Sequence, residues 1–117
     1  GLSVDIHPLE MVFDQIQSMN IIPSSELEFH SGKSIIVAGL RISSHRARTT
    51  KGELMMFMSM EDLEGMLEVV FFPQIYHQYR QILRQTGPFL VRGVVEKDVA
   101  EEGIWIRAEK VKLLLTE

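Results

Sequence analysis

Five apolar runs separated by short polar turns constrain this chain more than any other feature. Each run is rich in β-branched or aromatic residues and is bounded by turn residues, which predicts a β-strand. The predicted strands cover residues 34–43, 53–60, 66–72, 88–97 and 104–114. Between the third and fourth, "PQIYHQYRQILRQTG" repeats apolar residues at helical spacing, so we predict one helix over residues 73–86.

The order β-β-β-α-β-β predicts an all-β fold with accessory helices, a five-stranded Greek-key barrel of the OB-fold type. A closed barrel is favoured because an open sheet of short strands would leave its edges exposed. Gly39, in the middle of the first strand, predicts a bend or bulge.

The first 32 residues form a separate N-terminal helical arm and connector in this prediction, and residues 33–117 form the OB-fold domain. Pro8 and the apolar spacing of residues 9–19 predict a helix, and residues 25–29 predict one helical turn. The formal net charge of the 117 residues is −4. Residues 1–30 contain acids but no Lys or Arg, whereas residues 41–51 are basic.

Composition excludes several classes of function. The chain has no cysteine, so it can form neither a disulfide nor a thiolate metal site. It has no run of about 18 apolar residues and does not begin with the pattern of a secretory signal. We therefore expect a cytoplasmic protein with no membrane partner, although a chain without cysteine is also compatible with export.

Catalytic motifs are missing as well. Glu61, Asp62 and Glu64 fall in a tight predicted turn, where acidic residues are commonly solvated. The four histidines lack metal-ligand spacing, and no phosphate-binding glycine loop or nucleophile elbow occurs. We predict no catalytic residue, no metal and no cofactor, and expect that this chain is not an enzyme by itself.

Binding residues are predicted from the way OB-folds bind oligonucleotides, on strands 2 and 3 and on the loops joining strands 1–2 and 4–5. The predicted 1–2 loop, residues 44–52, contains Arg46, Arg48 and Lys51, which would hold phosphates, with Arg41 in a secondary role. The alternative is that these are ordinary solvated loop charges.

Alternation along strand 2 predicts the stacking residue. If Met56 and Met58 point inward, Met55 and Phe57 point outward, and a base could stack on Phe57. The opposite assignment, with Phe57 in the core and the methionines exposed, stays open because "LMMFMSM" is apolar at nearly every position. The methionines themselves fit either a core or an adaptable binding surface.

Trp105 lies between two isoleucines that are expected to face the core, so it could point outward beside Arg107 and extend the stacking surface. Packing of Trp105 under the N-terminal arm is the alternative. The neighbouring 4–5 loop is acidic and would repel phosphates, so the predicted affinity is weak. Its acids are Asp98, Glu101 and Glu102.

Short motifs along nearly the whole chain carry a family resemblance. They are "HPLE", "VAGL", "TTKG", "EDLEGMLEVVFFP", "YHQYRQIL", "LVRGVVE" and "AEKV". Together they resemble the C-terminal OB domain of the bacterial DNA polymerase III alpha subunit. The resemblance implies a non-catalytic module that contacts single-stranded template in DNA replication, with the DNA-directed DNA polymerase active site outside this chain.

The same superfamily includes anticodon-binding domains of class II aminoacyl-tRNA synthetases, where a strand-2 aromatic stacks on a base and a strand-3 glutamine hydrogen-bonds it. Phe57 matches the aromatic, but Glu68 stands at the glutamine position, which implies sequence-tolerant binding. The leading hypothesis is therefore single-stranded DNA binding. The alternative is a protein-interaction module that docks on another replisome subunit or on the polymerase body. We expect a monomer, since no heptad pattern is present.

Overall fold

Five strands form one sheet that closes into a barrel in the computed structural model, which describes residues 20–100 and 103–114. The strands are β1 (Ser34–Arg48), β2 (Leu54–Glu61), β3 (Met66–Phe71), β4 (Phe89–Asp98) and β5 (Gly103–Leu113). Around the barrel their order is β1-β2-β3-β5-β4. Neighbours pair antiparallel except β3 and β5, which are parallel. The predicted fold class is confirmed.

The barrel interior is lined by alternate residues of each strand. On β2, Met56, Met58 and Met60 are buried, and on β3 Val69 and Phe71 are completely buried. The inward assignment of the strand-2 methionines was therefore correct. These methionines belong to the hydrophobic core rather than to an adaptable surface.

Strand β1 changes partner at Gly39. It pairs with β4 from Ser34 to Gly39 and with β2 from Leu40 onward, and its register shifts between Arg41 and Ser43. A Cβ on Gly39 would lie 2.6 Å from the backbone oxygen of Glu61, so only glycine permits this approach.

The predicted loop at residues 44–52 was wrong, because β1 continues to Arg48 and pairs with β2 all the way. The connection is a short turn in which Gly52 N–H donates to the Thr49 oxygen at 2.8 Å and Gly52 has φ +85°. Most residues in this last part of β1 are exposed, so no apolar alternation marks it as a strand in the sequence.

Two short helices replace the single helix predicted over residues 73–86. Helix α1 (Pro73–Gln78) and helix α2 (Arg80–Leu83) are separated by Tyr79, whose φ of −109° and ψ of 21° are not helical. Tyr76 and Leu83, on the two sides of the break, both pack in the core. Tertiary packing here outweighs the helical pattern of the sequence.

The connector before β1 forms a 3-10 helix, Ser24–His30, where one turn was predicted. Ile22 and Leu27 from this segment pack in the barrel core, and Ile22 N–H donates to the Ile36 oxygen at 2.8 Å. The helix predicted over residues 9–19 lies outside the described residues, and the division between residues 32 and 33 stays a prediction. Among the helices that the structure describes, none has the length and apolar character needed to cross a membrane.

Candidate functional site

Outward-pointing side chains of β1, β2, β3 and β5 form one continuous surface, which we call the outer face. Strand pairing aligns His45, Phe57, Val70 and Arg107 in a row across the four strands. His45 is exposed and Phe57 is half-buried. Val70 is only 7% exposed, so it forms an apolar floor between Phe57 and Arg107.

Aromatic rings occupy two places on the outer face. The rings of His45 and Phe57 stack with centroids 5.0 Å apart and planes inclined by 10°. The rings of Phe72 and Trp105 lie 6.2 Å apart at 56°. Trp105 is half-buried and points to the side opposite buried Ile106. The alternative, packing under the N-terminal arm, concerns residues outside the described part of the chain. The outer face therefore presents flat rings at both its β1 and β5 sides.

Two ionic groups of the outer face, those of Arg107 and Glu68, have partners within the protein. Arg107 Nε donates to Glu96 Oε2 at 2.9 Å, and the Ser59 hydroxyl donates to the Glu68 carboxylate at 2.8 Å. An exposed ion pair of this kind contributes little to stability, but it holds both side chains in place. Met55 shares the outer face by alternation, yet it is only 9% exposed and offers little surface to a ligand.

The predicted phosphate-binding arginines lie on the other side of the β1–β2 ribbon, the hairpin in which residues 43–48 pair with residues 54–59. Arg46 pairs with Met56 and Arg48 with Leu54, so alternation directs them away from the side of His45. Arg48 Nη1 donates to the Gly52 oxygen at 2.7 Å, and Lys51 is exposed in the turn. The basic and aromatic residues predicted to act together are thus divided between two surfaces that meet at this ribbon.

Arg41 and Arg46 both line a cavity of about 280 Å³ between the ribbon and the two helices. Arg80 and Arg84 of the helical segment complete its basic lining. Arg41 Nη1 also donates to the Leu83 oxygen at 2.9 Å, which fixes this guanidinium against α2.

Asp62 is not the solvated turn residue that the sequence predicted. Its carboxylate accepts hydrogen bonds from the backbone N–H and the hydroxyl of Ser24, both at 2.7 Å, and from the N–H groups of Glu64 and Gly65, both at 2.9 Å. Burial raises the pKa of Asp62. The hydrogen bonds, that from the Ser24 hydroxyl first, outweigh this and hold the pKa below its usual value. Asp62 thus joins the β2–β3 turn to the 3-10 helix.

No group of three or more histidine and carboxylate side chains that could hold a metal occurs among residues 20–100 and 103–114.

Sequence reasoning missed His45 and Phe72 as members of the aromatic surface. His45 could have been found from the turn at Thr49–Gly52. A hairpin that closes at this turn pairs β1 with β2 and places His45 opposite Phe57. Phe72 follows buried Phe71 and so lies on the outward side by alternation, but its contact with Trp105 depends on the tertiary arrangement of β3 and β5.

Comparison with known proteins relates the chain to polymerases, although no family model matches. It is 28% identical over 112 residues to an error-prone DNA polymerase of Mycolicibacterium paratuberculosis, and the match covers 95% of this chain. It is 30% identical over 115 residues to an error-prone DNA polymerase of Nocardia farcinica, with 97% of this chain covered. The chain spans about a tenth of the length of these relatives, 10% in both cases. They confirm the predicted family resemblance.

Solved structures share the fold. The asparaginyl-tRNA synthetase of Pyrococcus horikoshii has a TM-score of 0.64 at 18% identity, covering 81% of this chain and 23% of that one. The mitochondrial single-stranded DNA binding protein Rim1 of S. cerevisiae has a TM-score of 0.57 at 13% identity, covering 74% of this chain and 100% of that one. At these identities the likeness concerns the fold alone.

Proposed function

Since the chain is an OB-fold related to the DNA polymerase III alpha family, we propose that it binds single-stranded DNA on its outer face. In this proposal it is a non-catalytic module of a longer polymerase and contacts the template during replication. Catalysis belongs to other parts of the polymerase.

The stacked pair of His45 and Phe57 carries the proposal. It offers a flat aromatic surface on which a base can continue the stack, and such stacking is worth about 1–3 kcal/mol per base. Phe72 and Trp105 offer a second stacking position on the β5 side. Stacking on rings does not distinguish one base from another, so binding would tolerate any sequence.

Phosphates would be held at the β1–β2 ribbon. Lys51 at the turn is exposed and can reach the backbone of a strand lying on the outer face. Arg46 and Arg48 extend from the reverse side of the same ribbon, and their guanidinium groups suit phosphate oxygens. Arg107 is engaged by Glu96 and plays a secondary role.

Fluorescence anisotropy with labelled oligo-dT at low salt tests the proposal. Phe57→Ala and His45→Ala should each weaken binding, by about 1–3 kcal/mol for Phe57. Phe29→Ala is the matched control, because Phe29 is 69% exposed on the 3-10 helix, outside the outer face. Unchanged affinity in both variants, or no binding by the wild-type chain, would refute the proposal.

A second candidate function is docking on another replisome subunit or on the polymerase body. A different surface favours it: Leu40 is 50% exposed and Leu63 is fully exposed, and both line an apolar cavity of about 670 Å³ beside Glu61 and Glu64. Leu63→Ser would weaken such docking while leaving oligo-dT binding unchanged, so pull-down and anisotropy on the same variant separate the two functions.

A further inference from the structure

The helical side of the barrel carries a concentration of positive charge, of which the outer-face proposal uses only Arg46. Among the described residues that line its cavity of about 280 Å³ are four arginines and no aspartate or glutamate. The arginines are Arg41, Arg46, Arg80 and Arg84, and we call the cavity with these four side chains the arginine groove.

Most of this charge has no partner inside the described part of the chain. Arg46, Arg80 and Arg84 are exposed, and within residues 20–100 and 103–114 they make neither an ion pair nor a side-chain hydrogen bond. Arginines stay charged at any physiological pH, so gathering them around one cavity costs repulsion that a bound anion would relieve.

The floor of the arginine groove favours a bound anion over a freely solvated one. Met56 and Tyr76 line the same cavity and are nearly buried. A low-polarity floor lowers the local dielectric and strengthens the attraction between a guanidinium and a phosphate. Arginine forks also match phosphate oxygens in a bidentate geometry.

The position of the groove favours a nucleic-acid backbone as the anion it would bind. His45 and Arg46 are consecutive on β1, so alternation directs one to the outer face and the other to the groove. A single strand of DNA that leaves the outer face across the β1–β2 ribbon would therefore meet Arg46 first and then Arg80 and Arg84. An acidic peptide would have no such continuity with the aromatic surface.

We propose that the arginine groove binds the phosphodiester backbone of the same single strand after it crosses the β1–β2 ribbon. The proposal rests on the outer-face function and extends it, since it makes Arg80 and Arg84 phosphate contacts of a longer binding path. A short oligonucleotide would occupy the outer face alone, and a longer one would occupy both surfaces.

The test compares labelled oligo-dT of about 5 and about 15 nucleotides, which lie near the two ends of the usual range of OB-fold site sizes, about 4–16 nucleotides. The test variant is Arg80→Gln/Arg84→Gln. The matched control is Arg92→Gln/Lys112→Gln, which removes the same charge from a different cavity, beside Tyr79 and Ile82. Circular dichroism and thermal unfolding check that both variants fold as the wild type does.

We expect the groove variant to bind the short oligonucleotide like the wild type and the long one at least about tenfold more weakly. Its slope of log affinity against log salt on the long oligonucleotide should be about 1.4 smaller in magnitude, the value for two lost single-strand phosphate contacts. The control variant should change neither the affinity for the long oligonucleotide nor the salt slope by a comparable amount.

The outcomes separate the two proposals. If Phe57→Ala weakens both oligonucleotides but the groove variant matches its control, the groove proposal is wrong and the outer-face function stands. If the groove variant loses binding while Phe57→Ala and His45→Ala do not, DNA binds in the groove and the outer-face function is wrong. If the wild type binds neither oligonucleotide, both are wrong.

Discussion

Asp62 illustrates how a single side chain can join two elements that the sequence separates widely. It accepts four hydrogen bonds, two from Ser24 and two from its own turn. The two within the turn resemble those of a helix N-cap, where an acceptor satisfies the backbone N–H groups two and three residues on. The two from Ser24 connect the 3-10 helix to the β2–β3 turn and hence to the barrel.

Asp62→Asn should lower the free energy of unfolding at neutral pH by about 1–2 kcal/mol, because its amide nitrogen cannot accept from the Ser24 N–H as Oδ2 does, and the three hydrogen bonds to Oδ1 lose their charge assistance. The pKa of Asp62 is lowered by folding, so its contribution is complete above the usual pKa near 4 and is lost as the pH falls below that. Urea unfolding between pH 7 and pH 3 should therefore give a flatter profile for the variant.

Glu61→Gln, at the exposed neighbouring residue, is the control for this experiment. An identical pH profile for wild type and Asp62→Asn would show that the hydrogen bonds do not stabilise the ionised carboxylate.

A substitution at Glu68 can test whether a phosphate backbone binds on the outer face. Its carboxylate lies on the outer face and accepts from Ser59, so it would repel a bound strand. Glu68→Gln keeps an acceptor for Ser59 and removes the charge. We expect oligo-dT affinity to rise a few-fold at low salt, whereas Glu28→Gln on the 3-10 helix should have a smaller effect. Weaker binding by Glu68→Gln would contradict the proposed path.

At the scale of elements, the sheet depends on close approaches that only glycine allows. Gly93 lies where the register between β4 and β5 shifts. A Cβ there would lie 2.4 Å from the Arg107 oxygen and 2.7 Å from Cγ2 of Ile106. The clash involves backbone on one side and a completely buried side chain on the other, so neither can move away easily.

Gly93→Ala should therefore destabilise the barrel by about 1–3 kcal/mol, the usual cost of overpacking. Gly103→Ala is a matched control, because a Cβ on Gly103 meets no atom within 4 Å. Thermal unfolding of both variants makes the measurement. Equal melting temperatures would mean that the β4–β5 contact relaxes without cost.

Strands β2 to β5 could be predicted within a residue or two, because each is an apolar run rich in β-branched or aromatic residues and bounded by turn residues. The end of β1 could not. Ser43, Ser44 and Arg46 are exposed, so the ribbon carries no apolar periodicity to recognise. For the same reason the sequence did not identify His45 as part of the aromatic surface, because its position beside Phe57 follows only from the pairing of β1 with β2.

The break at Tyr79 had no counterpart in the sequence either. The helical spacing of residues 73–86 is unbroken, and Tyr79 itself belongs to the apolar set. The helix breaks at Tyr79 in the structure, and Tyr76 on one short helix and Leu83 on the other both pack in the same core. Such a choice depends on the shape of the barrel, which no local pattern contains.

At the scale of the whole molecule, the formal charge of −4 opposes DNA binding, while the cations are concentrated around the β1–β2 ribbon and the helices. Net charge governs long-range approach, and local charge governs the contacts in the complex. The proposed function therefore implies modest affinity with a strong dependence on salt.

We expect log affinity for oligo-dT to fall linearly with log salt, with a slope of about −0.7 for each phosphate contacted. Lys51→Gln should reduce the slope, because it removes a phosphate contact. Phe57→Ala should weaken binding with the slope unchanged, because stacking releases no counterions. If Phe57→Ala changes the slope of log affinity against log salt and Lys51→Gln does not, then Lys51 makes no phosphate contact and Phe57 does not act by stacking alone.

The parallel pairing of β3 with β5 is the shortest junction in the ring, with two aligned residue pairs against ten for β4 with β5 in the described part of the chain. One of the two, Val70 with Arg107, lies in the middle of the outer face. A DNA strand lying across both would bridge the two strands that share the fewest aligned residue pairs in the described part of the ring. Occupancy should consequently slow amide hydrogen exchange at this junction more than anywhere else in the barrel.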